Sequence, residues 1–154
     1  MLMKKVCAYI ALIAMLAVTA CKKDHKDDDA GSNSLIGYWE LVETSSSWMP
    51  ATTYPPESGN WISFTGTTYS IARSGQPVQS GTYTVQSDAT VNESVCLQMP
   101  GGTFTNRIIY DSNYNATKVF FYIDNGMLTI VSGCYALDAG TKAVYRKAHS
   151  LGAL

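Results

Sequence analysis

The chain has 154 residues, with 11 basic and 12 acidic side chains and a formal net charge of −1. That length holds one domain of ordinary size, able to bury a single core. No basic patch is visible, which argues against nucleic-acid binding. The first element is a short basic start, Lys4-Lys5, followed by an uninterrupted apolar run from Val6 to Val18 and then Thr19, Ala20 and Cys21. Charge, apolar core and small residues in this order form the plan of a secretory signal. The run is short for a membrane span, which needs about 20 residues.

The stretch Val18-Thr19-Ala20-Cys21 resembles the lipobox of bacterial lipoproteins, in which cleavage precedes a lipidated cysteine. The resemblance implies a signal peptide over 1–20, acylation of Cys21 and a membrane partner held through the lipid. Two or more acyl chains are enough for stable anchoring. Residues 21–34 follow as a tether, with Lys22-Lys23-Asp24-His25-Lys26-Asp27-Asp28-Asp29 leading into Ala30-Gly31-Ser32-Asn33-Ser34. A stretch this polar has nothing large to bury and is expected to act as a spacer. Its basic-then-acidic order near the cysteine resembles signals that carry lipoproteins to the outer face of the outer membrane; the periplasmic face is the alternative. His25 and the aspartates of a loose tail are not assigned a metal site, and no cofactor is implied.

From residue 35 to 154 the composition is rich in Tyr, Thr, Ser and Gly and poor in helical apolar spacing, which favours strands. The expected segments are Gly37 to Thr44, then an irregular 45–60 stretch, then Asn60 to Thr65 and Thr67 to Ser74 as a hairpin turning at Gly66. Ser80 to Gln86, Glu93 to Met99, Thr105 to Tyr110 and Thr117 to Asp124 follow. Met127 to Ser132 and Lys142 to Lys147 close the series, with Asn125-Gly126 as a strong two-residue hairpin signal. About nine short antiparallel segments mean a sandwich or a closed barrel. The segment 118–123 is apolar on both faces, so its outer face needs a cover, either the 45–60 loop or a terminal element.

Leu35-Ile36-Gly37-Tyr38-Trp39-Glu40-Leu41-Val42 looks like the opening strand of lipocalin-like domains, where Gly-x-Trp begins the barrel. Ile62-Ser63-Phe64, Ser80-Gly81-Thr82-Tyr83 and Gly126-Met127-Leu128-Thr129-Ile130 add to that likeness. The resemblance implies an all-β, antiparallel up-and-down barrel of eight to nine strands. It also implies a structural pair closing one end, with Arg146 lying across Trp39.

Cys96 and Cys134 remain for the domain once Cys7 and Cys21 are set aside. They are candidates for a disulfide outside the cytoplasm or, alternatively, two buried thiols. Tyr38, Trp61, Tyr69, Tyr83, Tyr110, Phe121 and Tyr122 are candidates to wall a site for a small apolar or aromatic ligand, or else simply fill the core. Trp48 and Tyr54 are candidates for a surface that binds protein or glycan; the alternative has Trp48 tucked over a barrel end. Catalysis is not expected. His25 and His149 lie outside the strand region, and Glu40 and Glu43 differ in strand parity. Asp124 reads as a turn residue, and no metal-ligand spacing surrounds the cysteines.

Overall fold

The computed structural model describes residues 34–148. The signal segment 1–20, Cys21, the tether up to residue 33, and residues 149–154 with His149 lie outside them. Among the described residues nine strands form one antiparallel sheet: β1 Gly37–Ser46, β2 Thr52–Thr53, β3 Trp61–Phe64, β4 Thr68–Arg73, β5 Gln76–Ser87, β6 Asn106–Tyr110, β7 Val119–Asp124, β8 Met127–Ser132 and β9 Thr141–Ala148. Each long strand pairs with the next, and β9 returns to pair with β1 from Tyr38 to Ser46. The result is a closed eight-strand barrel, with β2 as an extra strand laid on β1 at Glu43 and Thr44. Closure removes the sheet edges that would otherwise be open to pairing with other chains.

The turns explain the register. Asn125 and Gly126 both have positive φ, 48° and 73°, as a two-residue hairpin turn matching the strand twist requires. Ser74 and Gly75 do the same at 49° and 78°. Pairing therefore resumes at Gln76, not at Ser80 as the sequence suggests. Pro77 is accommodated beside a register shift between β4 and β5, where a missing donor costs little.

Strand parity decides what lies inside. Trp39, Leu41, Ile62, Phe64, Leu128 and Tyr145 belong to one buried cluster within the barrel. Trp39 is fully buried, and its indole Nε1–H donates to the Leu35 carbonyl at 2.8 Å. The residue lying over its ring is Lys147, with Nζ 5.5 Å from the ring centroid, and not Arg146. The ladder makes the reason plain: Trp39 opposes Lys147, while Arg146 opposes Glu40 on the outer face. Arg146 instead donates to Glu40 Oε2 at 2.9 Å.

A second correction concerns 93–99, which is not a strand. Val91–Val95 forms a short helix, α1, whose buried residues are Val91 and Val95, one helical turn apart. Cys96 ends it in the left-handed conformation at φ 53°. The alternation of Val95, Leu97 and Met99 mimicked a strand, yet Leu97 is exposed and only Val95 is fully buried.

Removing the indole in Trp39→Ala is expected to destabilise the domain by about 3–5 kcal/mol in denaturant unfolding. Arg146→Ala removes only a half-exposed ion pair and is expected to cost at most about 1 kcal/mol. Equal effects from the two substitutions would contradict this assignment of inner and outer faces.

Candidate functional site

β7 carries large apolar side chains on both faces. Phe121 points into the barrel cluster, while its neighbour Phe120 is fully buried on the outside. The outer cover is the connection between β5 and β6, residues 88–105, which crosses the barrel wall as a strap containing α1. Among the described residues the 45–60 loop does not supply this cover, and the terminal residues lie outside them. Val91, Val95 and Phe104 from the strap pack on Phe120 and Val131, forming a second core outside the barrel. Phe104 meets Tyr122 edge-on, with ring centroids 4.8 Å apart.

Two devices pin the strap. At its start, Asp88 accepts hydrogen bonds from the Thr90 backbone and hydroxyl at 2.9 and 2.6 Å. It also pairs with Lys118 at 2.9 Å and Arg107 at 3.4 Å. Burial alone would raise the Asp88 pKa, but the Thr90 hydrogen bonds and the Lys118 ammonium outweigh it and hold the carboxyl at about 2. Midway, Cys96 is joined to Cys134 in the β8–β9 connection, with Cα atoms 5.0 Å apart.

Between strap and barrel wall lies an open cleft of about 700 Å³. Leu97, Met99, Phe104, Tyr122, Val131 and Tyr135 supply its apolar and aromatic walls. Ser45, Thr103, Asp124, Thr129 and Lys142 supply its polar points. Residues directly after each cysteine, Leu97 and Tyr135, stand on the cleft, so the disulfide ties two of its walls together. A smaller hollow of about 200 Å³ adjoins the return of the strap into β6, with Thr103, Tyr122 and Ile123 common to both. Among the described residues, no three His, Cys, Asp or Glu side chains gather as metal ligands would.

The sequence-derived candidates separate into three groups. Tyr69, Tyr83, Tyr110 and Phe121 belong to the barrel core or pack against it. The rings of Tyr69 and Tyr110 meet at a tilt with centroids 4.5 Å apart, and the Tyr83 hydroxyl donates to the Thr65 carbonyl at 2.7 Å. Burial pushes the hydroxyls of Tyr69, Tyr83 and Tyr110 up in pKa, as expected of core phenols. Tyr38 and Trp61 face outward as a tilted pair with centroids 5.2 Å apart, and neither lines the cleft. Burial and then the Glu40 charge raise the Tyr38 phenol to about 12. Only Tyr122 lines the larger cleft. Trp48 is 67% exposed. Tyr54 turns inward, shares a hydrogen bond with Thr44 Oγ1 at 3.2 Å and packs on the core.

Sequence reasoning missed Met99, Phe104, Tyr135 and Lys142. The doubly apolar 118–123 segment and the two domain cysteines were the available signals for them. No protein-family model, characterised protein or solved structure matches the chain, so the site rests on its own geometry.

Two measurements test the pinning of the strap. Replacing both Cys96 and Cys134 by Ala is expected to lower stability by up to about 4 kcal/mol, the chain-entropy limit for a loop of this length. Amide exchange should accelerate in 91–104 and 133–140 before the barrel strands. Asp88 has a folded pKa depressed below its ordinary value, so its contribution is present above about pH 4 and fades as pH falls toward 2. Asp88→Asn is accordingly expected to cost about 2 kcal/mol at pH 7 and almost nothing at pH 2. A difference independent of pH would count against the ion pairing.

Proposed function

We propose that this chain is a lipid-anchored protein of the bacterial cell envelope, with a lipocalin-like barrel that binds a small apolar or aromatic ligand. Support for the anchor comes from the sequence alone: Lys4-Lys5, the apolar run and Cys21 in lipobox order. The charged tether supports an outer-membrane location with the domain facing outward. An eight-strand antiparallel barrel opening on Gly37-Tyr38-Trp39 is compatible with the lipocalin likeness. The observation that carries ligand binding is the cleft: about 700 Å³, walled by three aromatic rings, thioether and aliphatic groups, with few polar points. Such a volume and lining suit a compact organic molecule. The ligand in this reading sits beneath the strap, on the outer wall, and the barrel interior serves as the core.

A second reading is favoured by one observation. Trp48 at 67% and Leu137 at 77% exposure occupy two loops at the same barrel end. Those loops are joined by Ser47 N–H to the Gly140 carbonyl at 3.0 Å and Gly140 N–H to Ser47 Oγ at 3.2 Å. Exposed apolar groups so placed suit a partner protein or glycan.

Cys21→Ser is expected to move the protein from the membrane to the soluble fraction; unchanged membrane association would overturn the anchor. Titration with the neutral fluorophore N-phenyl-1-naphthylamine is expected to give saturable enhancement that Met99→Asp or Tyr122→Ser weakens at least about tenfold, the scale of placing a charge in, or stripping an aromatic ring from, an apolar contact. Trp48→Ala should leave it unchanged. Enhancement insensitive to both cleft substitutions would remove the cleft from the account.

A further inference from the structure

We infer that the ligand of the outer cleft is an aromatic or apolar anion whose charged head is held by Lys142, an inference that rests on the ligand-binding reading above. The strand ladders place the two charged lining groups at opposite ends, with Thr129 midway between them. Lys142 opposes Val131 on one side and Ser45 on the other, so an ammonium and a hydroxyl stand together at one end. Asp124 opposes Met127 at the other end. The step from Met127 to Val131 along β8 is about 13 Å, the rise of four strand residues. Tyr122, opposite Thr129, lies between them with Phe104 against its ring, and Met99 lines the same cleft.

The state of Lys142 makes it available. Its ion-pair partner, Glu43, stands 3.7 Å away, beyond hydrogen-bonding distance, and does not line the cleft. An ammonium held this loosely, at the rim of an apolar trough, can donate to a carboxylate or sulfonate without losing a good hydrogen bond. The Ser45 hydroxyl opposite can donate to the same head group. Asp124 disfavours the reversed orientation, so the apolar body lies over Tyr122 and Phe104 with its head toward β9. A cationic ligand gains nothing at this end.

A matched pair of fluorophores tests the charge requirement separately from the cleft itself. N-phenyl-1-naphthylamine and 8-anilinonaphthalene-1-sulfonate share one aromatic body and differ by the sulfonate. Calorimetric titration of the Cys21→Ser chain is expected to show the sulfonate bound two- to five-fold more tightly, roughly the effect of a half-exposed ion pair. That preference should shrink with added salt. Lys142→Met, which keeps an apolar stem, should abolish the preference while leaving the neutral compound bound; Lys142→Arg should retain it. Neutral binding with no sulfonate preference, or a preference that survives Lys142→Met, would overturn the inference. Binding of neither compound would overturn the cleft reading beneath it, and this inference with it.

Discussion

A strand with large apolar groups on both faces has to be covered twice, and β7 imposes that constraint on the whole molecule. Closing the barrel buries Phe121 and leaves Phe120 and Tyr122 facing water. Exposing a phenylalanine side chain that could be buried forfeits about 1.5–3 kcal/mol. The connection after β5 meets the need by crossing the outer wall, contributing Val91, Val95 and Phe104. From that one requirement follow the second core, the ionic knot at Asp88, the bridge from Cys96 to Cys134, and the trough that remains where the strap leaves the wall.

The two cores divide the labour. The inner one is filled by side chains from both ends of the chain, and its hydroxyls find partners: Tyr69 donates to Asp111 at 2.9 Å and Tyr83 to the Thr65 carbonyl at 2.7 Å. Close approach is built in as well, since a Cβ at Gly81 would stand against the Asp111 carboxylate. Such packing specifies a barrel but offers little freedom to a guest. The outer core is smaller and rests on one short helix and one covalent bridge. Segments held by few buried contacts open at lower free energy than the strands beneath them. A site placed there can exchange its occupant without disturbing the barrel.

Much of the architecture was legible in the sequence, because turn chemistry and period-two alternation are local. Asn125-Gly126 set one hairpin, Gly66 lay within another, and the Gly37-x-Trp39 opening found its buried tryptophan. Legibility failed where tertiary context decides. Lys147 and Arg146 are adjacent cations, and only the β1–β9 register, with its bulge between Leu41 and Glu43, determines which one faces Trp39. Val95, Leu97 and Met99 alternate as a strand would, and only the tertiary packing shows that Val95 instead closes a helical turn begun at Val91. Aromatic side chains alone could not separate core from site, since Tyr38, Tyr69 and Tyr122 take three different environments. The cleft itself is made by residues distant in sequence, Ser45, Met99, Tyr122 and Lys142 among them, and the doubly apolar 118–123 segment and the two cysteines hint at a covered outer wall without marking the cleft.

The central claim is that this protein holds its ligand under the strap and not within the barrel. Methyl NMR spectra recorded during titration with N-phenyl-1-naphthylamine test it most directly. The expected result is saturable shifts at Met99, Leu97 and Val131, with Leu41, Ile62 and Leu128 unmoved. Shifts confined to the second set would place the ligand in the barrel interior and contradict the account.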